Sequence, residues 1–258
     1  MGLYQHIARL EAEGRPFVLA TVIASAGSTP QKPGSKMVVL ADGTLFGTVG
    51  GGAIEKQIVD AAIELLADGT AQTRQLETHL THDLGMCCGG RMTVFLEKSA
   101  AAADLFVFGA GHVAQPLAKL AQEVGFRVTV IDERDEWANT ARFGADITLK
   151  LANPADVAHT LTGGPTQFFC VTTHDHPLDQ ACVEALLNKP SAYLGVIGSR
   201  RKAERFKQRL TAAGFSTEAV NKLECPMGVE VGALTPGEIA VSIVARLIQV
   251  RRQPEGHS

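Results

Sequence analysis

The 258-residue sequence predicts an α/β protein, with a small N-terminal α+β domain followed by a Rossmann-like domain built on a doubly wound parallel sheet. Three observations carry this. From Leu105 onward, short apolar and β-branched runs alternate with helical stretches, the βαβ rhythm of a parallel sheet. The first of those runs leads into Gly109-Ala110-Gly111-His112-Val113-Ala114, a G-x-G-x-x-A turn before a helix, and Asp132 follows about twenty residues on. Before residue 98 the alternation is missing, and a hairpin and a glycine-rich helix start stand in its place. The alanine run between Lys98 and Asp104 separates the two patterns. The expected domains are therefore residues 1–98 and 103–250.

In the first domain, Leu3, Ile7 and Leu10 mark one face of a helix that Gly14 and Pro16 end. Phe17 to Ala24 reads as a strand, and Ala26 to Gly34 as a stiff polar loop. Met37–Leu40, the turn Asp42-Gly43 and Leu45–Val49 read as a hairpin. Gly50-Gly51-Gly52 then opens a helix from Ala53 to about Ala67. Free amides at such a helix start, at the positive end of its dipole, suit a phosphate. Glu55 in the first turn is either part of that site or an acid favoured by the dipole.

The stretch Asp83–Gly90 contains adjacent cysteines, Cys87 and Cys88, between glycines, followed by the strand Met92–Leu96. Glycine allows close backbone approach, and turn amides lower a nearby thiol's pKa. Two buried small hydrophobes are the plainer account of such a pair. Where only one of the two faces a pocket, Cys88 beside Gly89-Gly90 is the expected one. A zinc site from His79, His82, Cys87 and Cys88 has poor spacing, since vicinal side chains in an extended chain diverge.

In the second domain the expected strands are Leu105–Phe108, Arg127–Ile131, Ile147–Leu149, Phe168–Thr172 and Ala192–Ile197. Ligands of such sheets sit beyond the carboxyl ends of the strands. Two polar clusters fall there: Thr173–Asp179, with His174 and His176, and Gly198-Ser199-Arg200-Arg201-Lys202 at the start of a basic helix. The second reads as an anion seat or as a solvated basic face. Asp132 suits a ribose, whereas His112 crowds the phosphate turn, so NAD(P) is expected to bind weakly or not at all. Thr235, Pro236 and Glu238 form a capping-box start for a last helix, whose apolar face is Ile239, Ile243 and Leu247.

Bulk properties narrow the function classes. The chain is 45% hydrophobic, enough for a sizeable core, and its net charge of -3 argues against a general nucleic-acid binder. Five cysteines, scattered apart from one pair, are no disulfide framework. No apolar run approaches the ~20 residues of a membrane span. Met1–His6 lacks the basic and apolar segments of a signal peptide, so a cytoplasmic location is expected.

Seven ordered segments resemble one family: Gly27-Ser28-Thr29-Pro30; Gly50-Gly51-Gly52 with Glu55; Cys87-Cys88-Gly89-Gly90; Gly109–Ala114; His174 with Asp179; Gly198–Lys202; and Gly228–Glu238 with Ser242. This is the pattern of the XdhC/CoxI family, accessory proteins of xanthine dehydrogenases and related molybdenum hydroxylases. The chain departs from it at Glu230, where an aspartate is expected, and at Arg246, where a glutamate is expected. The resemblance implies a homodimer and a carrier, not an enzyme. Such a carrier holds molybdenum cofactor, in its molybdopterin form, while a cysteine desulfurase supplies its terminal sulfur. It then delivers the cofactor to apo-xanthine dehydrogenase or a related hydroxylase.

The candidate cofactor-binding residues are Cys87, Cys88, Gly50, Gly51, Gly52, Glu55, Gly109, Gly111, His112, His174, Ser199, Arg200 and Arg201. Cys88 is the candidate contact to molybdenum or its sulfur, as a soft ligand. The alternatives are an NAD(P)-dependent oxidoreductase built on the second domain and a thiol redox sensor using Cys87 and Cys88.

Overall fold

The structure, a computed structural model, describes residues 2–68, 71–80, 89–99 and 103–252. The chain divides into two compact units, one up to Ala102 and one from Ala103 to Gln253.

The first unit runs α1 (Leu3–Glu13), β1 (Phe17–Ala26), β2 (Lys36–Leu40), β3 (Leu45–Gly47), α2 (Gly52–Ala67), β4 (Thr73–His79) and β5 (Arg91–Ser99). Gly14 closes α1 in the left-handed conformation, at φ 64°. The sheet order is β3-β2-β1-β5-β4, with every pairing antiparallel. Strand β1 is apolar on both faces because a helix covers each. Val18, Ala20 and Val22 pack with Ile54, Ile58 and Leu65 of α2, and Phe17 packs with Leu10 of α1.

Strand β4 has no counterpart in the sequence reading. It is a polar edge strand in which only Thr78 is fully buried, its hydroxyl donating to Gln57 Oε1 at 2.8 Å. The expected strand Leu45–Val49 stops at Gly47, and the strand expected over Met92–Leu96 extends from Arg91 to Ser99.

The second unit runs β6 (Ala103–Phe108), α3 (Ala114–Glu123), β7 (Phe126–Asp132), α4 (Thr140–Phe143), β8 (Thr148–Leu151), α5 (Pro154–Thr160) and β9 (Gly164–Val171). It continues with α6 (His176–Leu186), β10 (Ser191–Val196), α7 (Arg200–Ala212), α8 (Thr217–Lys222), β11 (Leu223–Glu224) and α9 (Pro236–Arg252). The six strands are parallel in the order β11-β10-β9-β6-β7-β8, so the winding reverses between β6 and β9.

Period-two alternation sorts the two faces. Leu105, Val107, Val128, Val130, Phe168 and Cys170 pack with Leu117 of α3 and with Ile243 and Leu247 of α9. Phe108, Ile131, Phe169, Val171 and Val196 pack with Val157, Val183, Phe206 and Leu210 of α5, α6 and α7. Helix α9 starts as expected, with Glu238 Oε2 accepting from the Leu234 and Thr235 amides and Thr235 Oγ1 accepting from the Glu238 amide. Among the described residues, no helix is long and apolar enough to cross a membrane.

Candidate functional site

In the first unit, three glycine segments meet. A Cβ on Gly90 would lie 2.4 Å from Ser28 O and 2.7 Å from Ala26 O, and one on Gly27 would lie 3.2 Å from Gly90 Cα. A Cβ on Gly50 would lie 2.7 Å from Pro30 Cγ. The loop Gly27–Pro30 is therefore held between Gly90 and Gly50, backbone against backbone on the first side. Cys87 and Cys88 lie outside the described residues, as does His82.

The start of α2 differs from an open phosphate seat. The carboxylate of Glu55 accepts from Thr48 Oγ1 and from the Val49 amide at 3.1 Å. Burial pushes its pKa up, but hydrogen bonds from Thr48 and from the amides of Gly51, Val49 and Gly50 outweigh that and hold it below the usual carboxylate range. The Gly50 amide donates to Thr48 Oγ1, whose hydroxyl in turn donates to Glu55, so the glycine turn is tied to the chain's own acid. Glu55 thus acts here as a cap of the glycine turn.

The fingerprint turn of the second unit is likewise filled from within. Gly109, at φ 105°, packs so close to the end of β9 that a Cβ would fall 2.5 Å from Thr172 O. Asp132 is buried, and its carboxylate accepts from the Ala110 amide at 2.8 Å and from Arg134 Nε and Nη2 at 2.8 and 2.7 Å. Burial raises its pKa, and the bonds from Arg134 and Ala110 more than reverse this, leaving it lowered. Arg142 Nη1 donates to Ala110 O and Trp137 O. Arg142 and Arg134 each stack a guanidinium on the Trp137 ring, at 4.6 and 5.2 Å, and His112 meets it edge-on at 5.1 Å. The expectation that Asp132 suits a ribose is corrected, because the Arg134 fork already occupies both carboxylate oxygens. Gly111 has open space around its Cβ position.

The open cleft lies one crevice away, beyond β9 and β10. Asp175 caps α6 and Ser199 caps α7. Asp179, 2% exposed, accepts from the Thr173 amide at 3.1 Å, from Thr173 Oγ1 at 2.7 Å and from Lys202 Nζ at 2.6 Å. Lys202 also donates to Ile197 O. This buried pair clips the β9–α6 turn to the β10–α7 turn. Between the turns is a cleft of about 400 Å³ whose polar lining includes His174, Ser199, Arg201, Arg205 and Arg209.

Of the expected residues, His174, Ser199 and Arg201 come together there. Arg200 does not line the cleft and makes an exposed ion pair with Glu230 at 3.4 Å. Sequence reasoning left out Arg205 and Arg209, which the four-residue spacing from Arg201 could have revealed. Arg246 forms a forked pair with Glu224, tying α9 to β11.

Cysteines of this unit offer no thiolate. Cys170 and Cys182 are buried, and burial pushes Cys182 up to about 12 and raises Cys170 and Cys225. Among the described residues, no group of three or more His, Cys, Asp or Glu side chains is placed to hold a metal ion.

Comparison with known proteins agrees with this architecture. Residues 105–247 match the XdhC Rossmann domain, and residues 10–77 match the XdhC and CoxI family. The chain is 32% identical over 259 residues to the uncharacterized protein YqeB of Escherichia coli K12, covering 99% of this chain and 47% of that one. It is 32% identical over 160 residues to a protein of Bacillus subtilis 168 described as a probable xanthine dehydrogenase subunit, covering 62% and 46%. The chain thus spans about half the length of each of these relatives. Over 278 residues it is 26% identical to the molybdenum cofactor insertion chaperone PaoD of Escherichia coli K12, covering 95% of this chain and 86% of that one. A crystal structure described as a xanthine dehydrogenase from Bacillus halodurans superposes with a TM-score of 0.55 and 22% identity, over 100% of this chain and 98% of that one, a likeness of fold. With both family patterns matched in order and one relative matched along the whole of this chain, the chain belongs to the XdhC and CoxI family.

Proposed function

We propose that the chain is a carrier for molybdenum cofactor. It holds the cofactor while a cysteine desulfurase supplies the terminal sulfur, and hands it to apo-xanthine dehydrogenase or a related molybdenum hydroxylase. The observation that carries this reading is the relation to PaoD along nearly all of both chains, since PaoD is named for insertion of that cofactor.

The chemistry of the two units supports it. The cargo is a phosphorylated pterin dithiolene, which asks for an anion seat and a soft ligand. The cleft at Ser199, Arg201 and His174 is a cationic, concave anion seat. The packing of Gly27–Pro30 against Gly90 fixes the glycine that follows Cys87, Cys88 and Gly89 in the sequence. Cys88 is the soft ligand in this reading, with Cys87 secondary. The working form is a homodimer, as in the family.

The test is to purify the chain anaerobically, measure molybdenum, oxidise any pterin to its fluorescent product, and then add the loaded chain to apo-hydroxylase. Client activation is expected from the unmodified chain. Cys88→Ala is expected to lower it roughly tenfold or more, with the unfolding transition as the control that the variant folds. Cys87→Ala is expected to lower it less. Normal activation by both variants would make the cysteine stretch structural.

A further inference from the structure

Helix α9 opens with a capping box whose hydrophobic staple is unmade. Thr235 is the capping residue, so Leu234 precedes the cap and Ile239 holds the fourth helical position. Residues in those two positions ordinarily pack on each other. Here Ile239 packs against the core of the second unit, while Leu234 is 88% exposed, the most exposed large apolar side chain among the described residues. Its backbone is nevertheless held. The Leu234 amide donates to Glu238 Oε2 at 2.8 Å, and the Thr235 amide donates to the same oxygen at 2.9 Å. The leucine is thus an apolar knob on a fixed stem.

Beside the knob is a hole. The loop before Leu234, the first half of α3 and the first turns of α9 enclose a groove of about 710 Å³, with an apolar wall of Pro116, Leu120, Val231 and Val241. Val231 and Val241 are themselves more than half exposed. Contiguous exposed apolar surface of this kind marks an interface.

Charge tells which surface fits it. Lys119 lines the groove, and among the described residues no carboxylate pairs with it. Glu238, on the α9 side, is occupied by the two amides. Glu230, next to Val231 on the same loop, is exposed and makes a long contact of 3.4 Å to the equally exposed Arg200. One patch therefore carries an apolar knob, an apolar groove, an unpaired cation and an exposed acid. A two-fold interface needs that combination on a single face, because each copy there meets the same patch turned about.

We propose that this face pairs with itself in a second copy of the chain. Leu234 of each copy enters the groove between α3 and α9 of the other, and Glu230 of each pairs with the partner's Lys119. This rests on the carrier reading only in deepening its homodimer, by naming the face that forms it.

The test is sedimentation velocity on the full chain without cofactor, over a dilution series that gives the dimer dissociation constant. The parent is expected to be dimeric at micromolar concentration. Leu234→Asp is expected to raise the dissociation constant roughly a hundredfold, because it sets a charge at the centre of an apolar contact. Its unfolding transition, read on the dissociated chain, is expected to match the parent's, since the side chain is exposed there. Lys119→Glu and Glu230→Lys each set like charges together at both ends of the two-fold, and each is expected to weaken the dimer about tenfold. The double variant restores opposite signs and is expected to recover most of that loss.

A monomeric parent would overturn the proposal and leave the groove to a different protein. Parent dimers that Leu234→Asp does not weaken would overturn it in favour of another face. No recovery in the double variant would overturn the pairing of this face with itself. None of these results depends on bound cofactor, so each leaves the carrying of cofactor to its own test. A chain that dimerises through this face yet never retains molybdenum sinks the carrier reading alone.

Discussion

Two crevices open at the carboxyl edge of the same parallel sheet, and each is built on a buried carboxylate held by a cation. Beyond β6 and β7 the pair is Asp132 with Arg134, and beyond β9 and β10 it is Asp179 with Lys202. The origin of the cation decides the outcome. Arg134 comes from the loop that follows Asp132 itself, so pairing folds that loop back and brings Trp137 and Arg142 over the glycine turn. Lys202 comes from the next βα connection, so pairing ties two turns side by side and leaves the space between them open. The dinucleotide fingerprint identifies the fold of the first crevice, and the second is the one left open, with Arg201, Arg205 and Arg209 in its lining.

The largest expected effect lies in the open crevice. Lys202→Met leaves Asp179 buried without its cation, a loss of about 3–5 kcal/mol by the usual cost of breaking a buried pair. Urea unfolding reads it, and a loss under about 1 kcal/mol would mean that the two turns stay clipped without the ion pair.

Arg134→Gln tests the closed crevice, at about 1–3 kcal/mol for a charge-assisted bond to a buried carboxylate. Asp132 has a lowered pKa in the folded state, so the stability it contributes is present above its unfolded value near pH 4 and is lost as pH falls through the folded value. The gap between variant and parent should therefore be full at pH 7 and close in acid. A gap that stays constant with pH would show that the pairing is not what holds the loop. NADH should bind the parent no more tightly than roughly millimolar, and a micromolar dissociation constant would abolish the distinction between the two crevices.

Within the open crevice, Arg201→Gln is expected to weaken cofactor retention by about 1.5–3 kcal/mol at low salt, and by less as salt rises. Arg200→Gln is the smallest effect. Its pair with Glu230 is exposed, so stability should change by less than about 0.5 kcal/mol and retention should be unaffected. A reversal of these two results would move the seat to the outer face of α7.

Much of the fold was legible because its signals are local. The glycine turn with its flanking strand and helix and the capping box at Thr235 each rest on residues close together in sequence. Strand β4 was not legible, because Thr73–His79 is polar and becomes a strand only by pairing with β5. The site was legible in part. Ser199 and Arg201 follow from a capping residue before a basic run, and His174 from its place beyond a strand. The closing of the Asp132 crevice had a readable signal, since residues two apart at a strand end lie on the same side, as Asp132 and Arg134 do. The return of Glu55 onto the Gly50 and Gly51 amides had only the ambiguous one of an acid in a first turn.

The sheet of the first unit also fixes an order of assembly. Strand β1 sits at its centre and pairs on one side with β2, a short connection away, and on the other with β5, in a register that sets Phe17 opposite Ser99. Helix α1, strands β1 to β3 and helix α2 are all synthesised before that second partner exists. On the ribosome the centre of this sheet is an exposed edge until residue 99 has left the exit tunnel, with Phe17 to Val22 offering apolar backbone to any passing strand. Gly90, just ahead of β5, reaches its place against the backbone of Ala26 and Ser28 only as that edge is sealed, so the Gly27–Pro30 loop is pinned in the last act of the first unit's folding.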